Sequence, residues 1–217
     1  MQQQEQWIED MLKMNDEDHA MTEKQESIVR AAIELFASKG YAASSTNEIA
    51  KKAGVAEGTI FRHYKTKKDL LLAIVAPTMA KIIGPLVLKD FHKIIEAPYA
   101  TFEDFLRAVI RNRLKFVRNN IPIIKIVIQE IPFHEELRDT FKQQVAKQTI
   151  ERVTKVFERF QRDGVLVQLP APTMIRFVIS SAFGLVISML LIVPELDWDE
   201  EEEIERTVSM IMHGIAR

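Results

Sequence analysis

The sequence predicts an all-α protein. Apolar residues recur at three- and four-residue spacing through nearly the whole chain. Strand-like alternation between turn dipeptides is lacking, and Gly or Pro interrupts the pattern where helices of ordinary length should stop. With 217 residues and 47% hydrophobic content, the chain can bury a core without metal or disulfide support.

The elements follow in order. Residues 1–21 read as an acidic amino-terminal extension, flexible or partly helical, with Glu5, Glu9, Asp10, Asp16, Glu17 and Asp18 against Lys13. A helix should start at Thr22, with Gln25 completing a capping box, and bury Ile28, Ala31, Ala32, Leu35 and Phe36 until Lys39 and Gly40 stop it. Ser45 or Thr46 caps a second helix whose Ile49, Ala50 and Ala53 face inward, and Gly54 and Val55 form a turn. The third helix, Ala56 to His63, is too short to stand alone. Thr66 caps a fourth that carries Leu70, Leu71, Ile74 and Val75, with Pro77 beyond them and a bend or break expected near Pro85.

Thr101 to Arg118 has a broad helical apolar face, ended by Asn119 and Asn120. Ile121 to Ile131 is almost uniformly apolar and fits either a buried strand or a buried helix; Pro122 near its start and its helical neighbours favour the helix. His134 to Asp163 reads as one long amphipathic helix stopped by Gly164, and Pro170 and Pro172 introduce another over Thr173 to Val193. An acidic run from Glu195 to Glu205 opens the last helix, where carboxylates complement the helix dipole, and that helix ends at Ile215.

Composition removes several function classes. There is no Cys, hence no disulfide framework, thiol nucleophile or cysteine metal site, in keeping with a cytoplasmic protein. The acidic start lacks the basic and apolar stretches of a secretory leader. Met174 to Val193 comes nearest to a membrane span, but Arg176, Ser180, Ser181 and Ser188 favour a helix buried in protein, so no membrane partner is expected. Net charge is −2, yet Thr22 to Leu72 has an excess of Lys and Arg. The basic patch is local.

That patch coincides with the layout of a helix-turn-helix between Ser44 and Leu72, in which a scaffold helix and a tight turn present a short helix to the DNA major groove. The chain therefore divides into a three-helix DNA-binding domain, residues 22–68, and a larger helical body, residues 69–217. Base-contact candidates are Glu57, Gly58, Thr59, Arg62 and His63. Arg62 offers a fork to guanine, Thr59 a methyl or hydroxyl contact, and Gly58 close backbone approach. Phosphate-contact candidates are Thr46, Tyr64, Lys65, Lys67 and Lys68, while Lys51 and Lys52 face either DNA or plain solvent.

The run from Ile28 to Leu72 resembles the amino-terminal domain of the TetR family of bacterial transcriptional repressors. The likeness rests on Leu35, Phe36, Gly40 and Tyr41, then Thr46, Ile49 and Ala50, then Gly54 and Val55, then Gly58 to Phe61, then Tyr64, Lys67 and Lys68 before Leu70. Phe61 stands where the family often has Tyr, and Ser45 where Thr is frequent. The resemblance implies a homodimer on a palindromic operator and a body that holds an inducer and dimerises. It thus defines the body as a ligand-binding and dimerisation domain.

For the dimer seam, Phe177, Phe183, Val186, Ile204, Val208, Ile211 and Met212 exceed what one shallow helix face needs, and Ser180 and Gly184 allow close approach. For a small lipophilic effector, the candidates are Phe91, Phe102, Phe105, Leu106, Val109, Arg113, Phe116, Ile124, Val127, Glu130, Phe133 and Phe141, although the same list fits a solid core. A free Arg113 would favour a fatty acid, and a free Glu130 a cationic compound. No cofactor or metal site is implied. The alternatives are a helical protein-interaction dimer without DNA binding, or a helical enzyme working from Glu130, His134 and Arg113.

Overall fold

The computed structural model describes residues 22–77, 91–143 and 147–215. The acidic extension and the expected bend at Pro85 lie outside them. The regular elements are α1 (Glu23–Lys39), α2 (Thr46–Ala53), α3 (Glu57–His63), α4 (Lys67–Pro77), α5 (residues 91–96), α6 (Phe102–Asn119), α7 (Ile121–Glu130), α8 (Glu135–Phe141), α9 (Lys147–Arg162), α10 (Ala171–Ile187) and α11 (Glu200–Ile215). Among the described residues there is no strand. The all-α expectation holds, and the apolar run after Asn120 is helical.

Two compact units divide the chain, one drawn from residues 1–86 and 119–145, the other from 87–118 and 146–217. In the first, α1 packs against α2, α4 and α7, and α4 packs against α7 and α8. Its centre is Ile28, Val29, Ala32, Ile33 and Phe36 with Ile49, Ile60, Leu70, Leu71 and Ile74, all fully buried. Leu35 is only half-buried; Val29 and Ile33, on the stripe beside it, take the core positions.

Local chemistry fixes the helix ends in this unit. Thr22 and Gln25 make the expected capping box at α1. At α2 the cap is Ser45, not Thr46: its hydroxyl accepts from the Glu48 amide while Glu48 reaches back to the Ser45 amide. Ser45→Ala should cost about 1 kcal/mol of stability, read as a lower urea midpoint with an unchanged slope. Gly54 ends α2 in the left-handed region at φ 69° and ψ 29°, its amide on Ala50 and Lys51, with the Val55 amide 3.0 Å from the Ala50 carbonyl. This six-to-one closure satisfies carbonyls that would otherwise be orphaned, and it sets the angle between α2 and α3.

The second unit has an aromatic centre. Phe102 is fully buried with its ring edge-on to Phe157 and Phe160 at 5.1 and 5.2 Å. Helix α10 packs against α9 and α11. It starts at Ala171, with Pro170 before it, and continues into a π-helical turn over Ser188–Ile192. By length and composition the stretch Ala171–Ile192 would suit a membrane; in this structure it is a packed helix carrying Met174, Ile175 and Val178 in the core.

The acidic run is shorter as helix than expected, since α11 begins at Glu200. Three of its carboxylates hold arginines of α6. Glu205 takes Arg107 through two bonds of 2.8 and 2.9 Å, Glu201 takes Arg111 at 2.5 Å, and Glu200 takes Arg118. These bonds hold the carboxyls of Glu201 and Glu205 below their usual range. The run is thus partly a ladder between two helices of its own unit, on top of any dipole effect. The expected single helix from His134 to Asp163 is seen as α8 and α9, with residues 144–146 outside the description.

Candidate nucleic-acid interface and effector residues

Helix α3 fully buries one large side chain, Ile60, and exposes Gly58, Phe61, Arg62 and His63. Gly58, Phe61 and Arg62 are exposed at relative positions i, i+3 and i+4, which makes a single outward stripe. His63 and Lys65 are also exposed, whereas Thr59 and Glu57 are half-buried. Glu57 is engaged inside the module: the Thr46 hydroxyl donates to it at 2.5 Å, and the Asn47 side-chain amide approaches at 3.4 Å. Two residues expected to touch DNA separately thus tie α2 to α3.

The phosphate candidates fare unequally. Tyr64 is buried, its hydroxyl has no partner among the described residues, and burial pushes its pKa up, so it does not present a phenol to the surface. Lys67 is likewise turned inward. Its ammonium donates to the carbonyls of Tyr41 and Ser44, both at 2.6 Å, and lies 4.3 Å from the Tyr41 ring centre. Lys68 meets Glu136 of α8 at 2.6 Å. Of the three lysines, Lys65 alone has neither an ion pair nor a side-chain hydrogen bond among the described residues. The physical reason is local: the segment between α1 and α2 turns carbonyls toward Lys67, whose ammonium satisfies them.

Around Lys67 lies a polar cluster that residue-by-residue reading missed. Ser44 is buried with its hydroxyl on the Gly40 carbonyl at 2.8 Å. The Tyr41 ring stands edge-on to Phe36 and to His134, and His134 Nε2 is 3.2 Å from Glu130. Burial raises the Tyr41 pKa, with the Glu130 carboxylate adding to it; burial lowers that of Lys67, against which Glu130 acts. Glu130 and His134 are four residues apart, the spacing at which helix-borne side chains meet. That spacing was the available signal.

The effector candidates divide between the two units. In the second, Phe102, Phe105 and Leu106 are solid core, Phe91 is buried, and Val109, Arg113 and Phe116 form a half-buried stripe of α6. In the first, Val127 and Glu130 are buried, Ile124 and Phe141 are half-buried, and Phe133 is 81% exposed. Phe133 therefore stands on the surface of the described residues. A groove of about 540 Å³ runs between α10 and α11 beside Phe177, Gly184, Trp198 and Met210, and a cleft of about 510 Å³ lies between α5 and α9 beside Glu96, Arg152 and Lys155.

The seam candidates also separate. Val186, Ile204, Val208, Ile211 and Met212 are buried within the single chain, packing α10 on α11. Phe177 and Phe183 remain 39% and 51% exposed, joined by Ile179, also on the apolar face expected of a seam, and by Met210, which sequence reading did not single out. Burial alone decides this, and helical spacing cannot tell a residue facing the sister helix from one facing outward.

Short helix, glycine turn and outward stripe define a helix-turn-helix module of the DNA-binding type. Residues 28–74 match the family described as bacterial regulatory proteins, tetR family. Over these residues the chain is similar to that family. Among relatives, the HTH-type transcriptional regulator YerO of Bacillus subtilis is 29% identical over 68% of this chain and 47% of its own length. The fatty acid metabolism regulator protein of the same organism is 43% identical over 26% of this chain and 29% of its own. The chain thus spans about half, or less, of the length of these curated relatives. Two solved structures share the fold: the regulator FadR of B. subtilis in complex with stearoyl-CoA, at TM-score 0.62, 22% identity, and coverage of 87% of this chain and 97% of that one, and PfmR of Thermus thermophilus, also 0.62, at 20% identity over 86% and 97%.

Proposed function

We propose that this protein is a cytoplasmic, effector-responsive transcriptional repressor that binds a palindromic operator as a homodimer. The observation that carries the reading is the outward stripe of Gly58, Phe61 and Arg62 on a seven-residue helix locked to α2 by the Gly54 turn and the Thr46–Glu57 bond. Arg62 reads bases, Lys65 holds phosphate, and Lys68 reaches phosphate only in competition with Glu136. The likeness of the first domain to regulators supports this, as does the wide apolar exposure of Phe177, Ile179, Phe183 and Met210, which a twofold partner would cover. The body, beyond about residue 69, carries the dimer seam and a site for a small lipophilic effector. An effector that favours the released arrangement weakens DNA binding by the same factor that DNA weakens effector binding.

A gel shift with the DNA flanking the protein's own gene tests it. Arg62→Ala should weaken specific binding by about 5- to 150-fold, the worth of one good base contact. Lys65→Ala should weaken all sequences alike and flatten the salt dependence by about one unit of slope. If the full chain shows no sequence-specific shift even at low salt, the repressor reading fails and a dimer without DNA binding takes its place.

A further inference from the structure

Helix α6 presents its arginines in two ways. Arg107, Arg111 and Arg118 each hold a carboxylate of α11. Arg113 sits on another face, among half-buried Val109, Asn112 and Phe116, and pairs with no carboxylate among the described residues. Its guanidinium carbon lies 4.0 Å from the Phe91 ring centre and 5.1 Å from that of Phe116. Its Nε and Nη2 share a single acceptor, the side-chain oxygen of the adjacent Asn112, while Nη1 has no acceptor among the described residues.

Such a group is poorly compensated. Aromatic rings attract a guanidinium through its flat faces and accept none of its in-plane N–H bonds, so beyond the one shared Asn112 oxygen the edge that matches an oxyanion is left under-used among the described residues. Burial pulls the Arg113 pKa down to about 10, which still leaves the group cationic at neutral pH. A side chain that stays charged, half-buried and without a counter-ion among the described residues can receive one. Glu130, the other charge considered for an effector, is already engaged by His134 and faces Lys67 and Tyr41. It is not waiting for a cation.

We infer that Arg113 receives the anionic head of the effector, a carboxylate or a phosphate on an apolar body that packs along Phe91, Val109 and Phe116. The inference rests on the effector-responsive reading above and fixes the sign of the effector's charge.

Calorimetric titration of the full chain with four twelve-carbon amphiphiles below their micellar concentrations separates the possibilities: dodecanoate, dodecyl phosphate, dodecanol and dodecyltrimethylammonium. At least one anionic probe should bind ten-fold or more tighter than dodecanol, with the cationic probe weakest; the stronger of the two anions identifies the head group. Arg113→Met should erase that preference, Arg113→Lys should keep part of it, and Arg113→Met should melt no lower than the wild type because an uncompensated charge has been removed. Neutral or cationic probes binding the wild type as tightly as the anions, no anionic probe binding at all, or Arg113→Met retaining the preference would each overturn the inference. So would a marked drop in melting temperature with the ligand preference intact, which would make Arg113 a packing residue. Binding is read without DNA, so a failed gel shift removes the repressor reading and leaves this result standing, and the reverse also holds.

Discussion

Phe36→Ala is expected to destabilise the DNA-binding unit by about 3–5 kcal/mol, enough to remove operator binding at 37 °C. Phe36 is fully buried on α1, the helix that packs against α2, α4 and α7, and its ring meets Tyr41 edge-on at 5.3 Å. Truncation leaves a cavity at the centre of a small module, where there is little further core to absorb it. Urea unfolding followed by circular dichroism, beside a gel shift, measures both effects. The exposed Arg62→Ala should serve as the contrast, with weakened binding and unchanged stability. Loss of less than about 1 kcal/mol in Phe36→Ala would show that the site collapses freely and that α1 is not the keystone of this unit.

Lys67→Met should cost about 2–4 kcal/mol, a far larger loss than the half kilocalorie or less expected at exposed Lys65. Two charge-assisted bonds to the Tyr41 and Ser44 carbonyls disappear, and the methionine cannot satisfy either oxygen. The segment between α1 and α2 should then lose order, seen as faster amide exchange from Tyr41 to Ser45, and DNA affinity should fall indirectly because that segment leads into the Ser45 cap. A direct phosphate contact predicts the opposite pattern: stability and exchange unchanged, with a smaller salt slope. Should Lys67→Met and Lys65→Met behave alike, the inward role assigned to Lys67 is wrong.

Much of this molecule is visible before any coordinates. The helical class, the capping box at Thr22, the Gly54 turn and the short reading helix all follow from spacing and cap chemistry, because each depends on residues within one or two turns of one another. Lys67 shows where such reading stops. In sequence it is one of several lysines after a reading helix, equivalent to Lys65; in space it is the cation nearest to carbonyls some two dozen residues earlier in the chain. Glu136 capturing Lys68, and the α11 carboxylates capturing arginines of α6, are of the same kind. Charge pairing across long sequence separations leaves no periodic trace.

Apolar residues carry a second limit. Phe102 and Phe133 stand together among the effector candidates read from sequence, yet one is fully buried and the other 81% exposed. The same holds for Ile211 against Phe183 on the proposed seam helices, buried and half exposed respectively. Periodicity reports which face of a helix is apolar and says nothing about how many neighbours compete to cover it.

Sequence by itself therefore determined the helical class, the helix-turn-helix layout of the first domain and the presence of Arg62 and Gly58 on a short reading helix, since backbone preference and local spacing suffice for each. Tertiary structure decided which polar groups are spent inside the fold and which remain open. Tyr64 and Lys67 are occupied by burial or by carbonyls, Arg62 and Lys65 face solvent, and Arg113 keeps its charge with no carboxylate to meet it among the described residues. The cause is desolvation: whether a charge is paired, exposed or stranded depends on what packs around it, and only the folded chain brings those neighbours together.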